Sequence, residues 1–226
     1  ERPMDFTPTS DKKTIAIPPH KHAHDNNPWR RYAHPILFKC KANPTHVVFS
    51  PNHPHDYAVA NSLQLDIYSI RTNGAYRSLT RFRDVVTCAD YRPDGKLIAA
   101  ADERGTTQLF DLGSRAVMRT FRGHERAVRA VRFAPDGGRL FTGSDDKRVK
   151  LYDVAAEEEL CALEGHTDYV RSLRVNRASP HLVVSGSYDH TVRLWDTHAS
   201  TSVMTLTFAD PVFDVALLPG GGMVAV

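Results

Sequence analysis

Two stretches of this chain can be laid over each other almost residue for residue. They are GHERAVRAVRFAPDGGRLFTGSDDKRVKLYD, from Gly123 to Asp153, and GHTDYVRSLRVNRASPHLVVSGSYDHTVRLWD, from Gly165 to Asp196. His124 and His166 are 42 residues apart, and Asp153 and Asp196 are 43 apart. No other feature narrows the fold as much. A repeat of this length is one supersecondary unit stacked on copies of itself, because a single unit cannot bury its own apolar face. A G-H start and a W-D end at a period of roughly 40 to 45 residues mark four-stranded propeller blades.

The register extends in both directions with weaker letters. VVTCADYRPDGKLIAAADERGTTQLFD ends at Asp111, with Phe110 where Tyr152 and Trp195 stand, and THVVFSPNHPHDYAVANSLQLDIYS places Tyr68 42 residues before Phe110. PVFDVALLPGGGMVAV opens a further copy. Within each copy apolar residues alternate with polar ones, as at Val128, Val131 and Phe133, and a P-D-G turn follows, with proline fixing one dihedral and glycine permitting positive φ. The expectation is an all-β WD40 β-propeller of which about four and a half blades of seven are present. The blades lie near 36–70, 77–111, 119–153 and 161–196, with an incomplete one at 203–226. An irregular leader spans 1–35, and Ile36 to Lys39 is read as an outer strand completing the ring. On this reading the chain is the amino-terminal part of a longer protein.

No apolar run reaches the ~18 residues that cross a bilayer, and the start ERPMDFTPTSDKK lacks the apolar core of a secretory signal, so a soluble intracellular protein is expected. Cys40, Cys88 and Cys161 lie far apart without a paired spacing, which argues for buried thiols over a disulfide framework or a zinc ribbon. The net charge of +3 hides an uneven distribution. Residues 77–150 carry sixteen Lys or Arg against ten Asp or Glu, whereas residues 151–226 carry four against ten. A chain so polarised suits different partners on different sides, with the basic stretch near nucleic acid as one reading and a solvated surface averaging near neutrality as the other.

The repeat also assigns the polar residues. His124, Thr142, Asp146 and Tyr152 in one copy, and His166, Ser185, Asp189 and Trp195 in the next, occupy the positions of a structural hydrogen-bonded tetrad. A histidine near an aspartate and a hydroxyl also fits a nucleophilic triad. A catalytic set would occur once, and this one recurs in consecutive copies. The copy before them has Phe82, Arg104 and Phe110 in place of the histidine, aspartate and aromatic, so it must rely on packing. His20, His22 and His24 alternate in a proline-led segment without the second shell a metal site needs, and His53 and His55 sit in a turn. No phosphate-binding loop or zinc-protease motif is present, Gly220 to Gly222 read as a hairpin loop, and neither cofactor, small-molecule substrate nor catalytic residue is expected. Arg126, Asp145, Asp168, Tyr169 and Tyr188 fall in loops at one mouth of the propeller and form the candidate partner surface. Arg81, Arg83, Arg104, Arg119 and Arg122 are candidate contacts to an RNA backbone, by phosphate recognition without a base code.

Beyond the generic repeat, the order of motifs resembles the WD-repeat U3 small nucleolar RNA-associated protein 15 family. The letters that carry the resemblance are Trp29 and Tyr32 in the leader, VVFSP at Val47 to Pro51 and DYAVA at Asp56 to Ala60. SLTRFRDVVTCADYRPDGKLIAAADERGTTQLFD from Ser78, TGSDDKRVKLYD from Thr142, HTDYVRS from His166 and GSYDHTVRLWD from Gly186 continue it, and PVFDVALLPGGGMVAV closes it. The resemblance implies a non-catalytic scaffold in the nucleolar small-subunit processome, with roles in ribosomal RNA transcription and 18S maturation. It implies contacts with other propeller subunits, with pre-ribosomal RNA and with the U3 ribonucleoprotein, and a carboxy-terminal helical domain. Fold alone leaves other WD adaptors open, such as a ubiquitin-ligase substrate receptor or a chromatin scaffold.

Overall fold

A computed structural model describes residues 42–52, 54–72 and 74–218, and the backbone of 223–225. The leader, Ile36 to Lys39, Cys40, His20, His22, His24, His53 and Gly220 to Gly222 lie outside the described residues. Short runs of alternating side chains, punctuated by turns, give strands throughout. The first sheet is β1 (Pro44–Phe49), β2 (Tyr57–Asn61), β3 (Gln64–Ser69) and β4 (Gly74–Leu79). The second is β5 (Val86–Tyr91), β6 (Leu97–Asp102), β7 (Thr106–Asp111) and β8 (Val117–Arg122). The third is β9 (Val128–Phe133), β10 (Arg139–Ser144), β11 (Val149–Asp153) and β12 (Glu158–Leu163). The fourth is β13 (Val170–Val175), β14 (Leu182–Ser187), β15 (Thr191–Asp196) and β16 (Thr201–Thr207), and β17 (Val215–Leu217) pairs with β18 (Met223–Ala225). Every sheet is an antiparallel meander in sequence order, the arrangement of WD40 propeller blades.

Sequence copy and sheet are out of phase by one strand. β8 precedes the Gly123-His124 pair, yet it hydrogen-bonds to β7 and closes the second sheet; β12 does the same for the third. A copy drawn at 119–153 therefore supplies the outer strand of one sheet and the inner three of the next. Successive sheets are in this way tied together by the chain itself.

The core lies between sheets, because both faces of each are covered. Along β6 the side chains divide by parity: Ile98 and Ala100 pack towards Leu65, Ile67 and Leu79 of the first sheet, while Ala99 and Ala101 pack towards Val131 and Leu140 of the third. Phe141, Leu151, Leu173 and Trp195 form the next interface, and Val184, Val192, Val212 and Val215 the last described one. The P-D-G turns put Gly95 and Gly137 at φ of 66° and 69°, which a side chain adopts only under strain. β1, β5, β9, β13 and β17 meet one another along the inner wall. The outer strands face solvent, and each carries a bulge against its partner. The extra residues, Tyr76, Met118, Leu160 and Val203, are 45 to 61% exposed. Such bulges blunt an edge that would otherwise pair with another chain. No helix among the described residues is long and apolar enough to cross a membrane.

Candidate interaction surface

Each complete tetrad draws on four pieces of chain. In the fourth sheet His166 comes from the loop before β13, Ser185 from β14, Asp189 from the β14–β15 turn and Trp195 from β15. His166 Nδ1 lies 2.8 Å from Asp189 Oδ2, His166 Nε2 lies 2.6 Å from Ser185 Oγ, and Trp195 Nε1 donates to Ser185 Oγ at 2.7 Å. An ionised aspartate only accepts, so Nδ1 carries the proton and Nε2 takes the serine hydroxyl hydrogen. Burial holds the His166 pKa below its ordinary value despite Asp189. Burial also opposes ionisation of Asp189, but hydrogen bonds from Thr191 Oγ1, Thr167 N and His166 outweigh it and bring its pKa down to about 2. Asp189 Oδ1 also accepts Thr191 N at 2.9 Å, which fixes the turn.

The third sheet repeats the arrangement. His124 lies 2.7 Å from both Asp146 Oδ2 and Thr142 Oγ1, Asp146 Oδ1 accepts Arg148 N at 3.0 Å, and buried Tyr152 packs on Phe121. The glycine before each histidine is closely approached by side chains of its own sheet. A Cβ would stand 2.6 Å from Tyr152 Oη at Gly123 and 2.8 Å from Arg193 Nη1 at Gly165. Thr142 and Ser185 are wholly buried, so neither hydroxyl can meet a substrate.

In the second sheet Phe82 and Phe110 pack with ring centroids 5.1 Å apart where histidine and aromatic stand elsewhere, and Ala100 occupies the hydroxyl position. The turn is capped from a different residue. Asp102 Oδ1 accepts Arg104 N at 3.1 Å and Thr106 N at 2.9 Å, doing for this turn what the tetrad aspartates do for theirs. Arg104, at the aspartate position, reaches out to Asp84 at 3.0 Å and is 67% exposed.

The structure brings some of the mouth residues together. Tyr169 and Tyr188 lie 6.3 Å apart, Tyr188 meets Phe213 at 5.1 Å, and the Arg171 guanidinium sits 4.9 Å over Tyr188. Asp145 is buried, holds Arg129 at 2.8 Å and lies 3.8 Å from Arg171. Asp168 caps Tyr169 N, and Arg126 is exposed without a side-chain partner to these residues. Arg129, Arg171 and Phe213 were not singled out by motif, although they stand 42 residues apart in the same register. Reading the polar letters of each inner strand in columns would have found them.

Among the candidate phosphate contacts Arg81, Arg83 and Arg122 are exposed, Arg104 is paired with Asp84, and Arg119 is 3.8 Å from Glu157. Burial pushes the Cys88 thiol up to about 12, leaving it inert, and it raises that of half-buried Cys161. Among the described residues no cluster of three or more His, Cys, Asp or Glu is arranged to hold a metal.

The family model "WD domain, G-beta repeat" matches residues 76–111, 115–153 and 157–196. The chain is 37% identical over 195 residues to the U3 small nucleolar RNA-associated protein 15 homolog of Gallus gallus, covering 86% of this chain and 38% of that protein. It is 45% identical over 191 residues to the Danio rerio homolog, covering 84% and 37% respectively. With U3 small nucleolar RNA-associated protein 15 of Saccharomyces cerevisiae it shares 37% identity over 192 residues, covering 83% and 37%. The chain thus spans about two fifths of the length of the curated relatives it matches.

Proposed function

This chain belongs to the WD40-repeat family and closely matches the U3 small nucleolar RNA-associated protein 15 homologs, and from that premise we propose that it is a non-catalytic scaffold of the nucleolar small-subunit processome. The observation that carries the reading is the identity of 37 to 45% sustained over more than four fifths of the chain, in relatives named for association with U3 RNA. In this role the propeller supports pre-ribosomal RNA transcription and 18S maturation in the nucleolus by holding other WD-repeat subunits. The Tyr169, Tyr188, Arg171 and Phe213 cluster is the partner-facing anchor, since aromatic and arginine side chains dominate interface energetics. Among the described residues the repeated tetrad is spent on blade structure, which leaves the loops and the inner wall for recognition.

RNA contact, on this reading, is peripheral. Exposed Arg81, Arg83 and Arg122 meet phosphates without reading bases, and the signature is steep weakening with salt. The test is affinity purification of the intact protein with and without RNase. Recovery of other processome propellers in both samples, with U3 and precursor ribosomal RNA only in the untreated one, is the expected result. Recovery of a ubiquitin-ligase core or of histones in their place overturns the reading. Crosslinks confined to other subunits, with unchanged RNA association in a folded Arg81→Gln, Arg83→Gln, Arg122→Gln variant, overturn the phosphate contact alone.

A further inference from the structure

The inner strands carry two columns of side chains whose character changes around the arc. The first column sits at a bulge near the start of each inner strand and reads Thr45, Thr87, Arg129 and Arg171. Phe213 follows 42 residues after Arg171. The second column, three residues on, reads Val48, Asp90, Arg132 and Arg174. In the first two sheets the bulge threonines are spent internally. Thr45 Oγ1 donates to Val86 O at 2.6 Å, and Thr87 Oγ1 donates to Val128 O, each lacing one inner strand to the next. In the third and fourth sheets guanidinium groups replace them, and a cavity of 540 Å³ opens along the wall. Arg129, Arg132, Arg171, Arg174, Asp90 and Asp214 line it together with His46, Val48, Phe49 and Phe213.

Each of these guanidinium groups has a carboxylate within 4 Å, but only two of the four are hydrogen-bonded to one. Arg129 is held by Asp145 at 2.8 Å and Arg174 by Asp214 at 3.0 Å. Arg132 is 3.9 Å from Asp90 and Arg171 is 3.8 Å from Asp145, too far for a hydrogen bond. Arg132 donates one N–H to Val131 O at 2.8 Å and Arg171 lies over the Tyr188 ring, so both forks keep further N–H groups that are hydrogen-bonded to no acid. The field is felt by the neighbours: burial, then Arg132 and Arg174, lowers the His46 pKa to about 4, and burial followed by Arg132 lowers that of Arg174.

We propose that this wall binds an acidic, extended protein segment, its carboxylates taken by Arg132 and Arg171 and its apolar side chains by Val48, Phe49 and Phe213. Guanidinium forks match carboxylates in a bidentate geometry. An extended peptide places side chains alternately, so charge and apolar contact can be interleaved as they are on the wall. Phe49 and Phe213 are 63% and 60% exposed and available to such a segment. A nucleic-acid backbone fits less well, because its uniform charge would run past Asp90 and Asp214, which line the same cavity. The inference rests on the scaffold reading for the nature of its occupant, a segment of another protein.

The experiment measures binding of a short fluorescein-labelled peptide of alternating glutamate and leucine to the intact protein, with polyuridylate and a lysine–leucine peptide as comparators. The acidic peptide alone is expected to bind, and Arg132→Gln with Arg171→Gln is expected to weaken it about tenfold or more. Arg81→Gln with Arg83→Gln should leave it unchanged. Arg132→Lys with Arg171→Lys keeps the charge and loses the fork, so it should fall between, which keeps the test decisive if the glutamine variant unfolds. Absence of binding, binding indifferent to these arginines, or polyuridylate binding that alone depends on them overturns the proposal. Co-purification of processome propellers without peptide binding overturns this inference only; peptide binding without co-purification overturns the scaffold reading and leaves the site.

Discussion

The second and fourth sheets share a backbone and differ in what holds it. In both, the turn after the second strand folds back on the loop before the first: Glu103 N donates to Val85 O at 3.0 Å, and Tyr188 N to Tyr169 O at 3.0 Å. In the fourth sheet a buried chain of donors runs from Trp195 through Ser185 and His166 to Asp189. In the second, Phe82 packs on Phe110, and turn capping has moved to Asp102. The difference teaches that the tetrad is one solution to a geometric demand set by the neighbouring sheets, and that an aromatic pair with one relocated carboxylate is another. The two solutions fail differently. A polar network is costly to leave half made, whereas an apolar one loses only contact area.

The largest expected effect follows from that asymmetry. Asp189→Ala removes the acceptor for His166, Thr167 N and Thr191 N and leaves the buried His166 Nδ1–H unpaired, so it should destabilise the protein by about 3 kcal/mol in urea unfolding. A loss below about 1 kcal/mol would mean that water replaces the carboxylate and that the network is not the rigid element described here.

Titration separates the two sheets next. His166 and His46 both have native pKa values below the ordinary 6.5, His166 because it is buried and His46, at about 4, because of burial and the Arg132 and Arg174 charges. At these two histidines the unfolded chain binds more protons than the native one, so their contribution to stability falls as pH drops from about 6.5 towards 4, while Asp90 and Asp102, whose pKa values burial raises, act in the opposite sense. Asp189 adds a second loss of the same sign, between its unfolded pKa of 3.8 and its native value of about 2. Phe82 gives the second sheet no such dependence at the equivalent position. Urea midpoints measured from pH 7 to 4 should fall more steeply in the parent than in His46→Phe. Equal pH dependence in the two proteins would contradict the assignment of a neutral, buried His46 imidazole.

Asp102→Ala addresses the compensating residue. Removal of its carboxylate frees Arg104 N and Thr106 N in a turn near the surface, where water takes up part of the loss, and about 1 kcal/mol is expected. Faster amide exchange at Arg104 and Thr106, with β10 and β14 unaffected, would place the effect in this turn.

Much of this was legible in the letters. The period placed His124, Asp146, His166 and Asp189 at their partners because a tetrad recurs in register with the strands. The missing tetrad of the second copy was visible as Phe82, Arg104 and Phe110. Asp102 was not, because its role depends on which turn amides lack a partner, and that is a property of backbone geometry. The strand-to-sheet phase was also hidden: β8 and β12 read as belonging to the copy they precede, and only their hydrogen bonds assign them to the sheet before. The inner-wall arginines escaped for another reason. Arginine in a short strand looks like an ordinary solvent-facing position until the ring geometry turns it inward.

Arg104→Ala carries the smallest expected change, within about 0.5 kcal/mol of the parent, and it tests the comparison most directly because Arg104 stands where Asp189 does in the fourth sheet. Its guanidinium is 67% exposed, so its pair with Asp84 is screened by water and salt and must overcome the entropy of a long side chain. Its backbone N–H keeps its partner, Asp102, and Asp84 keeps Val85 N at 2.8 Å, so the turn survives truncation. Addition of salt should erase whatever small difference remains. If Arg104→Ala were as damaging as Asp189→Ala, the position would be structural in both sheets and the aromatic pair would not be a sufficient substitute. If it is neutral for stability yet weakens RNA association in the assembled particle, the copy that lost its tetrad has released that position for contact, and the aspartate it lacks marks where structure gave way to recognition.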